Sequence, residues 1–321
     1  MNKRPKVSVL IPVYNVENYI CDCMDSVVNQ TFKDIEIICV NDCSTDSSMQ
    51  ILQQYAENDD RVVLIDKKQN EGLLMARKSG VEAATGEYIL FVDSDDYIDL
   101  NLCQFVNDIT EKEDADIIHF SSGVDAEDSD KNFEGVVNAL KPLEKTLIGD
   151  EILDNAYIKM TYATQVWGKI YKTDLCKKVY AVLPDEHCYV GEDVFTTFFL
   201  SHFAKKYVGV KTPQYYFYRF GFGISGQSMI SVKKFEMFAK MSNWIKYTQE
   251  YLDTNNANEI QQKACNAMKD RLFADGCEIY RVRVRDEDKG AAEELIYKYW
   301  KDIPLNDAAW IKHIGKTKDY I

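Results

Sequence analysis

The stretch Tyr88-Ile-Leu-Phe-Val-Asp-Ser-Asp-Asp96 passes from an apolar run straight into three acids within four positions. A continuous apolar run of this length, opened by Gly86-Glu87, reads as a strand buried on both faces, which is how parallel-sheet strands look in sequence. The acids then emerge at a carboxyl end, where ligands bind in open α/β sheets. Asp93-Ser94-Asp95 offers oxygen ligands close enough to share one hard divalent cation and leaves positions for substrate phosphates. The plain alternative is a surface turn, since Asp and Ser favour turns, so the rest of the chain must supply these acids with a partner.

On the N-terminal side, residues 7–13, 35–40 and 61–65 are short β-branched apolar runs, each read as a strand. Ile20, Met24, Val27 and Val28 fall on one face of a helix between the first two. Met49, Leu52 and Ala56 do so between the next two, behind an N-cap-rich Asn41-Asp-Cys-Ser-Thr-Asp46. Asn70-Glu-Gly72 opens a third helix with Leu73, Ala76, Gly80 and Ala83 inward. Three strand–helix pairs ahead of the central strand predict right-handed βαβ crossovers and a Rossmann-like parallel sheet. The first turn holds no glycine, so the dinucleotide fingerprint is missing, which argues against hydride transfer.

On the C-terminal side, a helix is expected over 100–113, a strand over 115–120, an exposed acidic excursion over 124–134, a helix over 147–159 and extended chain over 165–172. Phe195, Phe198, Phe199 and His202 follow a helical period behind Gly191-Glu192-Asp193. Both acids therefore sit in a first turn, where the helix dipole favours the ionised carboxylate that a general base requires. Residues 214–220 are aromatic, and Gly221, Gly223 and Gly226 predict a flexible loop. Beyond about 231 the pattern is helical throughout, so the expected organisation is an α/β domain over 1–230 and a helical region over 231–321.

The chain has 321 residues, 46% of them hydrophobic, and a formal net charge of −14. This balance argues against a nucleic-acid binder or a polybasic membrane anchor, both of which need net attraction to phosphate. Nine scattered cysteines, without zinc spacing, read as reduced thiols of a cytoplasmic protein. No leader-like start and no apolar stretch of membrane-spanning length is seen. Arg281, Arg283, Arg285 and Lys289 form a basic patch that could meet a membrane surface, although a solvated face is the simpler reading. His119, His187, His202 and His313 lack metal-ligand spacing.

Five segments together resemble the family 2 glycosyltransferases of the GT-A fold. They are Val7-Ser-Val-Leu-Ile-Pro-Val-Tyr-Asn15, Asn41-Asp-Cys-Ser-Thr-Asp46, Asn70-Glu-Gly-Leu-Leu-Met-Ala-Arg-Lys-Ser-Gly80, Gly86 to Asp96 and Gly191-Glu-Asp193. The resemblance implies a GT-A sheet, a nucleotide-diphosphate sugar donor (usually a UDP-sugar), a divalent cation (Mn2+ or Mg2+), inversion at the anomeric carbon, and a glycan or lipid-linked acceptor. Pro12, Tyr14 and Asn15 match the nucleoside end of the first strand, and Asp42 the base-reading acid. Asp93 and Ser94 fall at the ribose and Asp95 at the metal. Arg77 lies where the family has an arginine near the donor, its alternative being a solvated helix face. Asp193 is the expected base, with Glu192 as alternate. Lys169 and Arg219 are candidates for touching the diphosphate, the alternative for Lys169 being a surface lysine. The chain departs from the commoner Asp-Asp-Gly-Ser pattern at Asn41 and Cys43, which leaves the nucleotide's identity open. The competing readings are a sugar-phosphate nucleotidyltransferase, which would carry a glycine-rich first loop that is missing here, and an inactive nucleotide-sugar or glycan-binding relative.

Overall fold

A computed structural model describes residues 4–125, 134–187, 190–221, 229–305 and 307–315. In chain order its first half runs β1 (Val7–Val13), α1 (Ile20–Val28), β2 (Ile35–Asn41), α2 (Ser48–Asn58), β3 (Val62–Asp66), α3 (Leu73–Ala83), β4 (Tyr88–Phe91), β5 (Tyr97–Ile98), α4 (Leu102–Thr110), β6 (Ile117–His119) and β7 (Ser122–Asp125). There follow α5 (Glu134–Ala139), β8 (Thr146–Ile148), α6 (Glu151–Leu153) continuing into a π-turn at Asp154–Ile158, β9 (Lys169–Lys172), α7 (Thr173–Val182), α8 (Glu192–Phe203), β10 (Lys206–Gly209) and β11 (Tyr216–Arg219). The C-terminal helices are α9 (Val232–Ala239), α10 (Ser242–Thr254), α11 (Glu259–Arg283), α12 (Lys289–Trp300) and α13 (Asp307–Ile314).

An eight-stranded sheet in the order β3-β2-β1-β4-β9-β6-β10-β8 forms the centre, with a three-stranded sheet β5-β11-β7 beside it. The pairs β3·β2, β2·β1, β1·β4 and β6·β10 are parallel, while β9 and β8 run antiparallel to their neighbours. The sheet is therefore mostly parallel, as the strand–helix alternation predicts. The register Val7↔Tyr88 and Val13↔Asn41 aligns the carboxyl ends of β1, β2 and β4 at one edge of the sheet.

Residues along each central strand alternate between the two faces, and each face has its own core. Leu10, Ile38, Val40, Ile89 and Phe91 pack with α3, α7, α8 and the C-terminal helices. Val9, Ile11, Ile37, Cys39 and Leu90 pack with α1, α2 and α4. Burial on both sides explains why these strands read as unbroken apolar runs. No helix among the described residues is long and apolar enough to cross a membrane.

Three local expectations change. Residues 146–148 pair with β10 instead of starting a helix, because strand pairing overrides a short helical period, and Gly149 at φ +56° separates them from α6. The extended stretch 165–172 shortens to β9, since Gly168 turns at φ +70°. Of the acidic excursion, Val124 and Asp125 belong to β7 and Glu134 to α5, while 126–133 lie outside the described residues, as do 222–228 of the glycine loop.

Candidate active site

The sheet's carboxyl edge is built by loops that hold one another. Asn15, at φ +53°, accepts from the Thr45 N–H at 2.7 Å, and Val16 and Glu17 donate their N–H groups to Ser48 and Asp46. The loop after β1 is thus stitched to the loop after β2. Pro12 is buried within β1, whereas Tyr14 is 48% exposed just beyond it, which removes core packing as its role. Asp42 is buried, and its two carboxylate oxygens accept from the N–H groups of Glu71 at 3.0 Å and Gly72 at 2.7 Å. This carboxylate pins the start of α3. Asn41 keeps the hydrogen bonds its position demands, donating to Asp66 at 2.8 Å and accepting from the Ser44 N–H at 3.2 Å.

Arg77 is the centre of the site. Gly80, one turn later, lets α3 lie directly on β1: a Cβ there would stand 2.6 Å from Leu10. The close approach carries Arg77 to 0% exposure, so the solvated-face alternative does not hold. Nη2 donates to Asp93 at 2.7 Å, and Nη1 donates to Asp193 at 2.6 Å and to Glu192. Acids from the end of β4 and the start of α8 thereby meet on one guanidinium, whose fork suits several carboxylates at once. Three carboxylates around one cation leave excess negative charge in a dry place. Burial and the neighbouring acids push the Glu192 carboxyl up, against the pull of Arg77, and burial does the same to Asp93. Glu192 is 3% exposed and also accepts from Thr196, whereas the Asp193 side chain is 32% exposed.

Among the described residues no cation lies within ion-pair distance of the Asp95 carboxylate; burial raises its pKa, against a weaker pull from the Arg219 charge. No group of three His, Cys, Asp or Glu side chains that could cage a metal occurs among the described residues. A single carboxylate completed by diphosphate oxygens and water is how small hard cations are commonly bound, and the Asp95 donor fits that mode. Ser94 is buried beside it.

Two placements were not legible in the pattern. Tyr216, in the aromatic run, accepts from the Asp93 N–H at 3.1 Å and donates to Asp96 at 2.6 Å, while the Arg219 N–H donates to the other Asp96 oxygen at 2.8 Å. Asp96 is therefore the buried brace beneath the acidic turn. His187 approaches the Asp42 loop through Asn70, with Nε2 3.0 Å from Oδ1. Lys169 is 1% exposed, not a surface lysine; its Nζ donates to the carbonyls of Ala163 at 3.1 Å and Gln165 at 2.7 Å. Arg219 reaches Asp22 at 2.5 Å and the Asp95 carbonyl at 3.2 Å. Of the basic patch, Arg283 is buried and Lys289 donates to the carbonyls of Tyr280 and Arg281, while Arg281 and Arg285 are exposed and pair with Glu278 and Glu287.

Residues 8–162 match the family described as Glycosyl transferase family 2. Over those residues the chain carries that family's domain, and its fold is GT-A. It is 35% identical to EpsH of Bacillus subtilis (strain 168) over 221 residues, 66% of this chain and 60% of that one. It is 55% identical over 96 residues to the poly(ribitol-phosphate) beta-glucosyltransferase of Bacillus spizizenii, 29% of this chain and 15% of that one. The crystal structure of S. aureus TarS 1-349 in complex with UDP-GlcNAc superposes with a TM-score of 0.64 at 21% identity, covering 93% of this chain and 82% of that one. The chain thus spans less than two thirds of the length of these two sequence relatives.

Proposed function

We propose that this chain transfers a sugar from a nucleoside-diphosphate sugar, a UDP-sugar, to a hydroxyl of a glycan or lipid-linked acceptor in bacterial surface-polymer synthesis, with inversion. The observation that carries the reading is the meeting of Asp93, Glu192 and Asp193 on Arg77, next to Asp95, whose carboxylate has no cation within ion-pair distance among the described residues. The UDP donor draws on the UDP-GlcNAc complex of the fold relative, and the polymer acceptor on the name of the poly(ribitol-phosphate) relative.

Tyr14 supplies an exposed flat face for the base, and Asp42 keeps its loop in place beside it with lone pairs to spare. Asp93 and Ser94 face the ribose. A divalent cation on Asp95 would offset the charge that develops on the leaving diphosphate. Asp193 takes the proton from the attacking hydroxyl, on the face of the sugar opposite the leaving group. Its partial exposure supports it over Glu192, which is buried and committed to Arg77 and Thr196. Arg77 holds the Asp193 carboxylate in place and keeps the acidic site from repelling its donor. The buried Nζ of Lys169 is better suited to bracing the turn before β9 than to reaching the diphosphate.

The test is UDP release from UDP-GlcNAc and UDP-glucose, with and without MnCl2, by the wild type and Asp95→Ala. Manganese-dependent release that Asp95→Ala loses is expected. Equal release by both proteins would refute the role of Asp95, and no release from any nucleotide sugar with a panel of glycan acceptors would refute the transferase reading.

A further inference from the structure

We infer that the C-terminal helices set the position of the Glu192-Asp193 turn, with Trp244 of α10 as the positioning residue, an inference that rests on Asp193 acting as the base. Gly191, which precedes α8, has no side chain with which to cap the helix. The C-terminal helices supply a hold from outside. The Trp244 indole donates from Nε1 to the Val190 carbonyl at 3.2 Å, and its ring stacks on Phe195 at 4.9 Å and 30°. Trp244 thus grips the chain just before and just after the two acids. Between them Gly191 sits at φ +77°, and a Cβ there would come within 3.1 Å of Met241 Sδ and 3.3 Å of Leu272 Cδ2. The turn lies directly on the start of α10 and on α11, and a Cβ would fit only tightly between.

Arg77 orients the carboxylates but does not hold the backbone that bears them. The clamp matters for rate, because a base must stand within hydrogen-bond reach of the proton it removes, and a displacement of about 1 Å can cost about 100-fold. The helical region beyond α8 is therefore part of the catalytic apparatus without touching substrate.

The experiment compares the full chain with Trp244→Phe, which keeps a stacking ring and loses the N–H, and with Ile296→Ala, a control in α12 that shares the same core away from the turn. Two readouts are taken: hydrogen exchange of peptides covering residues 190–196, and UDP release from UDP-GlcNAc and UDP-glucose with MnCl2 at varied donor concentration. Trp244→Phe is expected to speed exchange in that peptide selectively and to lower kcat about tenfold or more, with the donor KM within about twofold. Ile296→Ala is expected to lower Tm while leaving both readouts as in the wild type. Unchanged exchange in Trp244→Phe, or the same loss of kcat in Ile296→Ala, would overturn the inference. If the wild type releases no UDP, the reaction reading fails, while the exchange data still decide whether the clamp exists.

Discussion

Replacing Arg77 with methionine keeps the length and apolar stem of the side chain and removes the one cation shared by Asp93, Glu192 and Asp193. Removing one partner of a buried ion pair costs about 3–5 kcal/mol, because the remaining charge is left uncompensated. Here the partners left behind are three acids, one of them as buried as the arginine itself, so the upper end of that range applies at pH 8. A domain is stable by only about 5–15 kcal/mol, so the loss is large. The pH dependence has a definite sign. Glu192 has its folded pKa raised above the ordinary 4.5, so ionising it opposes folding, and this part of the stability is present at acidic pH and lost as pH rises. Without Arg77 its folded pKa climbs further. Because the Glu192 carboxyl already stands at about 8, its further rise separates the two proteins little below pH 8. Asp93, at about 6 with Arg77 pulling it down, climbs too when the guanidinium is lost. Each pKa unit of that climb up to pH 8 makes the destabilisation by Arg77→Met about 1.4 kcal/mol smaller at pH 5 than at pH 8. Urea unfolding of both proteins at the two pH values measures this. A destabilisation below about 1 kcal/mol at pH 8, or one that does not shrink on acidification, would refute the central role given to this guanidinium.

Asp193→Asn should lower kcat by about 100- to 10,000-fold, the range for loss of a general base, with Tm close to wild type. Glu192→Gln should instead change stability, because its carboxylate is buried on Arg77 and Thr196; reversed effects in steady-state kinetics and thermal melts would exchange the two roles. Burial lowers the Lys169 ammonium to about 7, against an opposing pull from Asp193. Its penalty is therefore complete below pH 7 and is relieved as pH rises toward the unfolded value near 10.4, by at most about 1.4 kcal/mol per pH unit. Lys169→Met should remove that rise between pH 7 and pH 9; urea midpoints that keep the wild-type slope would show that the ammonium stays charged in its carbonyl cage.

The order of strands and helices as far as β4, the carboxyl-edge position of the acids and the helical character beyond 231 could be read from the chain alone, whereas α7 and the short strands β5, β7 and β10 were not. Apolar period and turn residues are local properties, and a strand buried on both faces announces itself as an unbroken run. Residues 146–148 could not be assigned in this way, because their state is decided by pairing with β10, a partner far off in sequence. Asp93, Asp95, Glu192 and Asp193 were recognisable as candidates from their motifs. That Arg77 is fully buried and joins acids 16, 115 and 116 positions away was not, because a single arginine in an amphipathic helix reads equally well as solvated. Nor could the pattern show that Tyr216 and Asp96 brace the acidic turn or that Trp244 grips the start of α8. Such contacts depend on how closely one element can approach another, and in this chain that is settled by details such as the missing Cβ of Gly80 against Leu10, which only packing in three dimensions brings into play.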